Sequence, residues 1–496
     1  MSGTQEAGTT PGRPRILVLA AHPLQVDPRV TCVIASASRF GEVTAMGLEP
    51  GGGPLAGAAR RISVSAGRGA FGPLLRACLD LFRSRRGRTG GWRGLGFQAL
   101  LALVAIVSAA IAAIVARRGS AEAVDGPATA PGAAGGGMLA GLKSRLAALP
   151  LQHPLRQGAM FLWLCQFLVR ASSALYEAVR RLPVGPDIIH CNDFETLPAA
   201  VFAARRTGAR LLYDAHEFFP YSHTGACRLQ SWFFARLEAL FIGEADAVVT
   251  VNPLLAERVR AHYGLARVES ILNAEPRVPS RTPLGQGLPE PAASARVRFL
   301  FMGNFHDDRG LEELVDAWAA SGLTDCALML RGPDNALRAH LQARVARLGA
   351  SGAGIVFLPP VAEDELVGAA MQADVGIVPY KPINENYRYC CPNKLSQYLH
   401  AGLMVLASRT EFVARTVEDN GVGLVYDAAR AQTIVDALRR AAGDAGLREG
   451  CRARARALAE REFDWAVQER TLLAIYGRLA AAPSTVDGNP SRSTRN

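Results

Sequence analysis

Short apolar runs separated by helix-like stretches recur along the whole chain. Arg15-Ile16-Leu17-Val18-Leu19-Ala20-Ala21 reads as a buried strand, followed by a polar loop from His22 to Arg29, a helical stretch and a second strand at Glu42-Val43-Thr44-Ala45. Strand, loop, helix, strand is the repeating unit of a parallel sheet. The alternation returns at 187–190, 210–214 and 247–251 and ends near 269–273. A stretch rich in proline and glycine, 276–291, reads as a linker. A second series follows, with strands at 297–302, 327–330, 354–358, 375–379, 404–407 and 423–426. The expected architecture is α/β: two doubly wound, Rossmann-like domains facing a cleft, each binding ligands at the carboxyl ends of its strands.

The domain reading follows from these runs. Residues 1–14 and 483–496 are polar and expected to be disordered, 15–276 form the first domain, and 277–294 the linker. Residues 295–462 form the second domain and 463–482 a closing helix. The first domain carries an insertion at about 54–156, whose centre, 99–116, has Ser108 as its only polar residue. That length is at the lower bound for a spanning helix. A single crossing would put the strands at 15–21 and 187–190 on opposite sides of a bilayer, although they belong to one sheet. The shorter run Met160–Val169, bounded by Arg156 and Arg170, fits a helix lying in a membrane interface.

Composition narrows the partners. Lysine and arginine exceed aspartate and glutamate by 55 to 44, a formal charge of +11, which favours anionic partners such as phosphates or an acidic lipid surface. The nine cysteines show no zinc-ligand spacing and read as reduced thiols, which points to a cytosolic setting. The basic residues are dispersed and no zinc finger or helix-turn-helix stands out, so nucleic acid is not an expected partner. The loop 22–27 lacks the GxGxxG phosphate turn, which disfavours a dinucleotide oxidoreductase.

Three places carry candidate chemistry. Gly303 ends a strand and lets a ligand approach the backbone, and Arg309 follows at a helix start, where a cation makes sense if a diphosphate sits there. Pro392-Asn393 opens a helix closed by Gly402. Its backbone N–H groups at 393–395 face an anion, Lys394 adds charge, and Gln397 is one turn in. In the first half, polar residues cluster at strand ends: His22 and Arg29, then His190 to Asp193, then Asp214 to Glu217.

Taken together, HPLQVDPRV (22–30), DIIHCNDFETLPAA (187–200), YDAHEFF (213–219), ADAVVTVNPLLAERV (245–259), ILNAEP (271–276), GNFHDDRGLEELVDAW (303–318), ADVGIVPY (373–380) and PNKLSQYLHAGLMVLAS (392–408) resemble family 4 glycosyltransferases of the GT-B fold. The resemblance covers about 15–50 and 185–480 and leaves out the insertion. It implies retaining transfer from a nucleoside-diphosphate sugar without a metal or other cofactor. The departing diphosphate then takes the acceptor proton, and the protein positions the reactants and stabilises charge. By position it implies that Arg309 and Lys394 hold the diphosphate, with Gly303, Asn304 and the backbones of Asn393 and Leu395 beside them. Gln397 falls at the ribose and Tyr389 at the sugar. Asn192 falls where many members place a sugar-contacting histidine, and His216, also a catalytic candidate, lines the acceptor or sugar side with Glu217. His22, Arg29, Asp193 and Glu217 line the acceptor side.

Three positions depart from the family. Its EX7E carboxylates fall on Tyr389 and Gln397, Asn304 replaces a phosphate-binding arginine, and Arg309 replaces a lysine. The expected function is extension of a lipid-linked or polysaccharide acceptor at the cytoplasmic face of a membrane, in a bacterial envelope or exopolysaccharide pathway. An inactive nucleotide-sugar-binding scaffold and a nucleotide-sugar epimerase are the competing readings.

Overall fold

The computed structural model describes residues 13–24, 27–48, 55–65, 153–223, 226–277, 287–290 and 292–482. The apolar run at 99–116, the body of the insertion and the tail from 483 lie outside the described residues, as do residues 1–12.

Two sheets form. The first has strands β1 (Arg15–Leu19), β2 (Glu42–Leu48), β3 (Arg60–Val64), β4 (Ile188–Asn192), β5 (Arg210–Ala215), β6 (Ala247–Thr250) and β7 (Glu269–Ser270). The second has β8 (Val297–Met302), β9 (Cys326–Arg331), β10 (Ile355–Leu358), β11 (Val375–Val378), β12 (Met404–Ser408) and β13 (Gly423–Tyr426). Their orders are β3-β2-β1-β4-β5-β6-β7 and β10-β9-β8-β11-β12-β13. In both, the chain steps outward from its first strand and then returns to that strand's other side. The crossovers therefore part at β1/β4 and at β8/β11, which opens a crevice at the carboxyl ends of those strands. The chain divides into two compact units, Met1–Asp214 with Cys227–Val248 and Leu472–Asn496, and Ala215–Ala226 with Val249–Thr471.

The insertion begins later than the sequence suggests. Residues 60–64, placed inside it by the sequence reading, form β3 and pair in parallel with β2. An edge strand with two arginines and a serine exposes much of its surface and lacks the continuous apolar run of a central strand.

Helix α1 (Pro28–Phe40) is capped by Asp27, whose side chain accepts from the Arg29 and Val30 N–H groups. Helix α2 (Pro154–Arg180) is far longer than the ten-residue run that announced it. At 27 residues it is long and apolar enough to cross a membrane by length and composition. Yet Leu164, Leu168, Ala171, Leu175 and Val179 are buried along one face, and Tyr176 meets Phe202 of α3 (Leu197–Thr207) edge-on at 6.1 Å. The second half of α2 thus belongs to the layer covering the first sheet. Its first half keeps Leu155 and Trp163 64% and 60% exposed.

In the second unit, Phe299, Phe301 and Leu328 pack against Trp318 and Val315 of α4 (Leu311–Ser321). Helix α5 (Asn393–Ala401) runs as the sequence predicts, from Pro392 to Gly402, whose φ of 67° is left-handed. Its Tyr398 settles a polar group the sheet leaves open. The β8–β11 pairing stops at Leu300, and the Met302 N–H donates to the Tyr398 hydroxyl at 2.9 Å. Gly376 of β11 makes room for that ring, because a Cβ there would lie 2.4 Å from it.

Two substitutions test this arrangement. Gly376→Ala forces the Tyr398 ring aside and should cost about 1–3 kcal/mol. Tyr398→Phe strands a buried N–H and should cost about 1–3 kcal/mol. Urea unfolding checks both, and wild-type midpoints would refute the packing account.

Candidate active site

Lys394 and Arg309 meet at the β8/β11 crevice of the second unit. Lys394 lies in the first turn of α5 and is 9% exposed. Its Nζ is 3.4 Å from the Tyr380 hydroxyl, to which it donates. It lies 5.1 Å and 5.0 Å from the ring centroids of Phe301 and Tyr380. Gly303, with φ of 132°, forms the facing wall, and a Cβ there would come within 3.4 Å of the Lys394 Nζ. A side chain at 303 would therefore crowd the ammonium.

Arg309 sits in a 3-10 turn, Asp307–Arg309, and Gly310 at φ 65° separates it from α4. It is thus not on the helix start that the sequence reading gave it. Its guanidinium carbon stacks 4.0 Å from the Tyr380 centroid and 5.4 Å from that of Tyr387. Its Nε is 3.5 Å from Asp308 Oδ1. Its Nη1 is buried with no hydrogen-bond partner among the described residues.

The electrostatics follow from burial. Burial, then the charge of Arg309, lowers the Lys394 pKa from the ordinary 10.5 to about 7. Burial likewise pushes the Cys390 thiol up to about 12 and the Tyr380 phenol higher still, so both stay neutral. Two desolvated cations thus share one pocket wall, with Asp308 the carboxylate beside them. Such a place favours a multiply charged anion.

The remaining expected donor residues are spread around this centre. Asn393 opens α5 and Gln397 is buried one turn in. The Leu395 N–H, expected to face an anion, already donates to the Pro392 carbonyl at 3.0 Å. Asn304 is exposed, and Tyr389 is half-buried. His216 is half-buried and Glu217 exposed.

Sequence reasoning missed the residues that fix the loop 380–391. Asn252 donates to the Tyr389 carbonyl at 2.6 Å and Asn273 to the Cys391 carbonyl at 2.8 Å. Asn386 accepts from the Phe218 N–H at 2.9 Å. Tyr380 N–H donates to Ser408 Oγ at 2.7 Å. These are asparagines and a serine far apart in sequence, and only the quoted strings ILNAEP and TVNPLL hinted at two of them.

The first unit places His22 and Asp193 at its own β1/β4 crevice. His22 Nε2 lies 3.7 Å from Asp27 and 3.9 Å from Asp193. Two expected residues are instead turned inward. Arg29, expected on the acceptor side, is buried and forms a two-pronged pair with Asp214 at 3.0 and 2.9 Å. Asn192, expected to reach substrate, is fully buried and donates to the Leu19 carbonyl at 2.9 Å, tying β4 to β1. The same buried network holds His190, whose Nδ1 is 2.7 Å from the Tyr476 hydroxyl. Through it the part of α6 (Trp465–Ala481) from Leu472 onward is held within the first unit.

Comparison with known proteins bears on the fold and the activity. Residues 143–274 match the family model described as Glycosyltransferase Family 4, and residues 296–444 match Glycosyl transferases group 1. No curated protein matches the chain significantly by sequence. Among solved structures, sucrose-phosphate synthase from Thermosynechococcus elongatus superposes with a TM-score of 0.63 at 15% identity, covering 95% of this chain and 100% of the other. The E. coli trehalose-6-phosphate protein bound with UDP-2-fluoro glucose gives 0.59 at 13%, covering 95% and 99%. Anabaena HepE in complex with UDP and glucose gives 0.58 at 13%, covering 94% and 100%. At these identities the structures speak to the fold, and the two family models to the activity: the chain is a glycosyltransferase of the GT-B fold.

Proposed function

We propose that this enzyme transfers a sugar, with retention, from a nucleoside-diphosphate sugar to a lipid-linked or polysaccharide acceptor. The observation that carries the reading is the pair of buried cations that share the Tyr380 ring, Arg309 stacked on it and Lys394 beside it and next to Gly303. A diphosphate supplies the charge this pair lacks. Two structures of the same fold hold UDP-2-fluoro glucose and UDP with glucose, which supports a nucleotide-linked donor.

In the proposed reaction the bond from the anomeric carbon to the diphosphate oxygen breaks, and negative charge grows on that oxygen. Lys394 and Arg309 stabilise it. The acceptor hydroxyl attacks from the same face, and the leaving diphosphate takes its proton. The two fixed cations do the work a divalent ion would do, so EDTA should leave the rate unchanged. Asn393 and Asn304 contact the diphosphate, Gln397 bonds the ribose more weakly than a carboxylate would, and Tyr389 borders the sugar. His22 and Asp193, at the β1/β4 crevice, serve the acceptor.

A membrane acceptor is supported by α2. From Pro154 to Tyr176 it has no acidic residue, and Arg156 and Arg170 flank its exposed Trp163. An apolar face with a basic border suits an anionic interface at the cytoplasmic side. Flotation with vesicles containing phosphatidylglycerol should capture the protein, and Trp163→Ser should weaken capture. Equal recovery with neutral vesicles would refute the charge argument.

A panel of UDP-, GDP- and dTDP-sugars with a lipid extract should reveal one donor from which nucleoside diphosphate is released and sugar transferred. Lys394→Ala and Arg309→Ala should each lower kcat/KM by about a hundredfold or more. Unchanged rates would remove these residues from the mechanism.

Lys394 also sets a pH dependence. Its folded pKa of about 7 lies below the ordinary 10.5, so above about pH 7 the free enzyme holds it increasingly neutral. An anion then binds with proton uptake, about one proton per nucleoside diphosphate at pH 8, and affinity falls as pH rises above 7. For the free protein the unfolded chain holds more protons between about 7 and 10.5, so this group's contribution makes stability rise with pH across that window. Calorimetry of UDP and GDP binding in buffers of different ionisation enthalpy measures the uptake. Equal heats at pH 8 in wild type and in Lys394→Met would overturn it.

A further inference from the structure

Arg309 occupies a position where the sequence resemblance expects lysine, and its surroundings suit a flat guanidinium. Tyr380 covers it at 4.0 Å and Tyr387 lies at 5.4 Å. Its Nε edge faces Asp308 at 3.5 Å. Asp308 is itself held: the Tyr387 hydroxyl donates to its Oδ2, His306 Nδ1 lies 3.0 Å from its Oδ1, and its backbone carbonyl accepts from the Lys381 N–H at 2.9 Å. Tyr387 therefore does two things, with its ring beside Arg309 and its hydroxyl on Asp308. Tyr380 is also shared, since its hydroxyl accepts from Lys394. The loop bearing both tyrosines is anchored by Asn384, which caps the short helix Glu385–Arg388, and by Asn386.

We propose that Tyr380, Tyr387 and Asp308 are positioning residues that fix the guanidinium plane of Arg309, so that Nη1 is presented to the ligand and lysine is a poor substitute. The proposal rests on Arg309 as a diphosphate ligand. A compact ammonium cannot stack over two rings and at the same time hold a second, unbonded nitrogen in a fixed direction, as the buried Nη1 of Arg309 is held. Stacking on a desolvated face adds to the hold. Here the tyrosines and Asp308 hold a guanidinium at the position where the resemblance expects a lysine.

The test is arginine side-chain 15N NMR of the full chain, with UDP and GDP as binding probes. In the free wild type, rotation about the Arg309 Nε–Cζ bond should be hindered, unlike that of Arg430, whose side chain is 77% exposed. Tyr387→Leu should free it. Tyr387→Phe, which keeps the ring and removes the Asp308 bond, should leave rotation hindered and speed exchange of the Nε proton. A wild-type Arg309 as mobile as Arg430, or exchange unchanged in Tyr387→Phe, overturns the positioning role. Arg309→Lys should weaken nucleotide binding about tenfold in the wild type and less than twofold in Tyr387→Leu. Additive losses overturn the coupling. A hindered Arg309 in a protein that binds neither nucleotide sinks the donor reading and leaves the positioning intact.

Discussion

Burying two positive charges side by side is costly, and this fold does it at the end of β8. Lys394 is almost fully enclosed, and Arg309 both lowers its pKa and competes for the same counter-charge. Neighbouring phenol and thiol stay protonated in their own burial, so they cannot repay the cost. Asp308 offsets part of it, and aromatic faces offset some more. The remainder is a standing affinity for an anion. Ground-state strain of this kind is affordable only where the surrounding structure over-determines the geometry.

The over-determination is visible in the neighbouring contacts. Strands β8 and β11 part early, which opens the crevice and leaves Met302 without a partner on β11, and the Tyr398 hydroxyl of α5 accepts from its N–H. The same helix carries Lys394 in its first turn, so the bond that completes the sheet also sets the height of the ammonium. Gly376 and Gly303 clear space on either side. Asn252, Asn273 and Asn386 hold the loop that brings Tyr380 and Tyr387 over Arg309. The first unit shows the opposite use of charge. There Arg29 is neutralised by Asp214 in a buried pair, which ties α1 to β5 and leaves His22 and Asp193 at the opening.

The alternation of apolar runs and helical stretches locates both sheets because central parallel strands are buried on both faces and therefore form unbroken apolar segments. It fails at β3, where an edge strand is part solvent-facing and reads like a loop. It also fails at α2, where Arg170, Ser172, Ser173 and Glu177 interrupt the apolar run and so hide the continuation of the helix. Lys394 and Arg309 stand out in the sequence because a cation after a strand-end glycine or at a helix start has few structural uses, and the structure brings both to the Tyr380 ring. Arg29 and Asn192 looked identical in kind, polar residues at strand ends. Whether such a side chain turns outward or inward depends on a partner far along the chain.

The sequence by itself determined the two α/β series, the limits of α5 and the identity of the two cations, since each rests on local periodicity, capping or residue chemistry. Only the tertiary structure decided what those cations experience. Desolvation, the stacking of Tyr380 and Tyr387, the clamp of Asp308 and the asparagine anchors all join residues distant in sequence. Their energies depend on distance and dielectric, which no local pattern encodes.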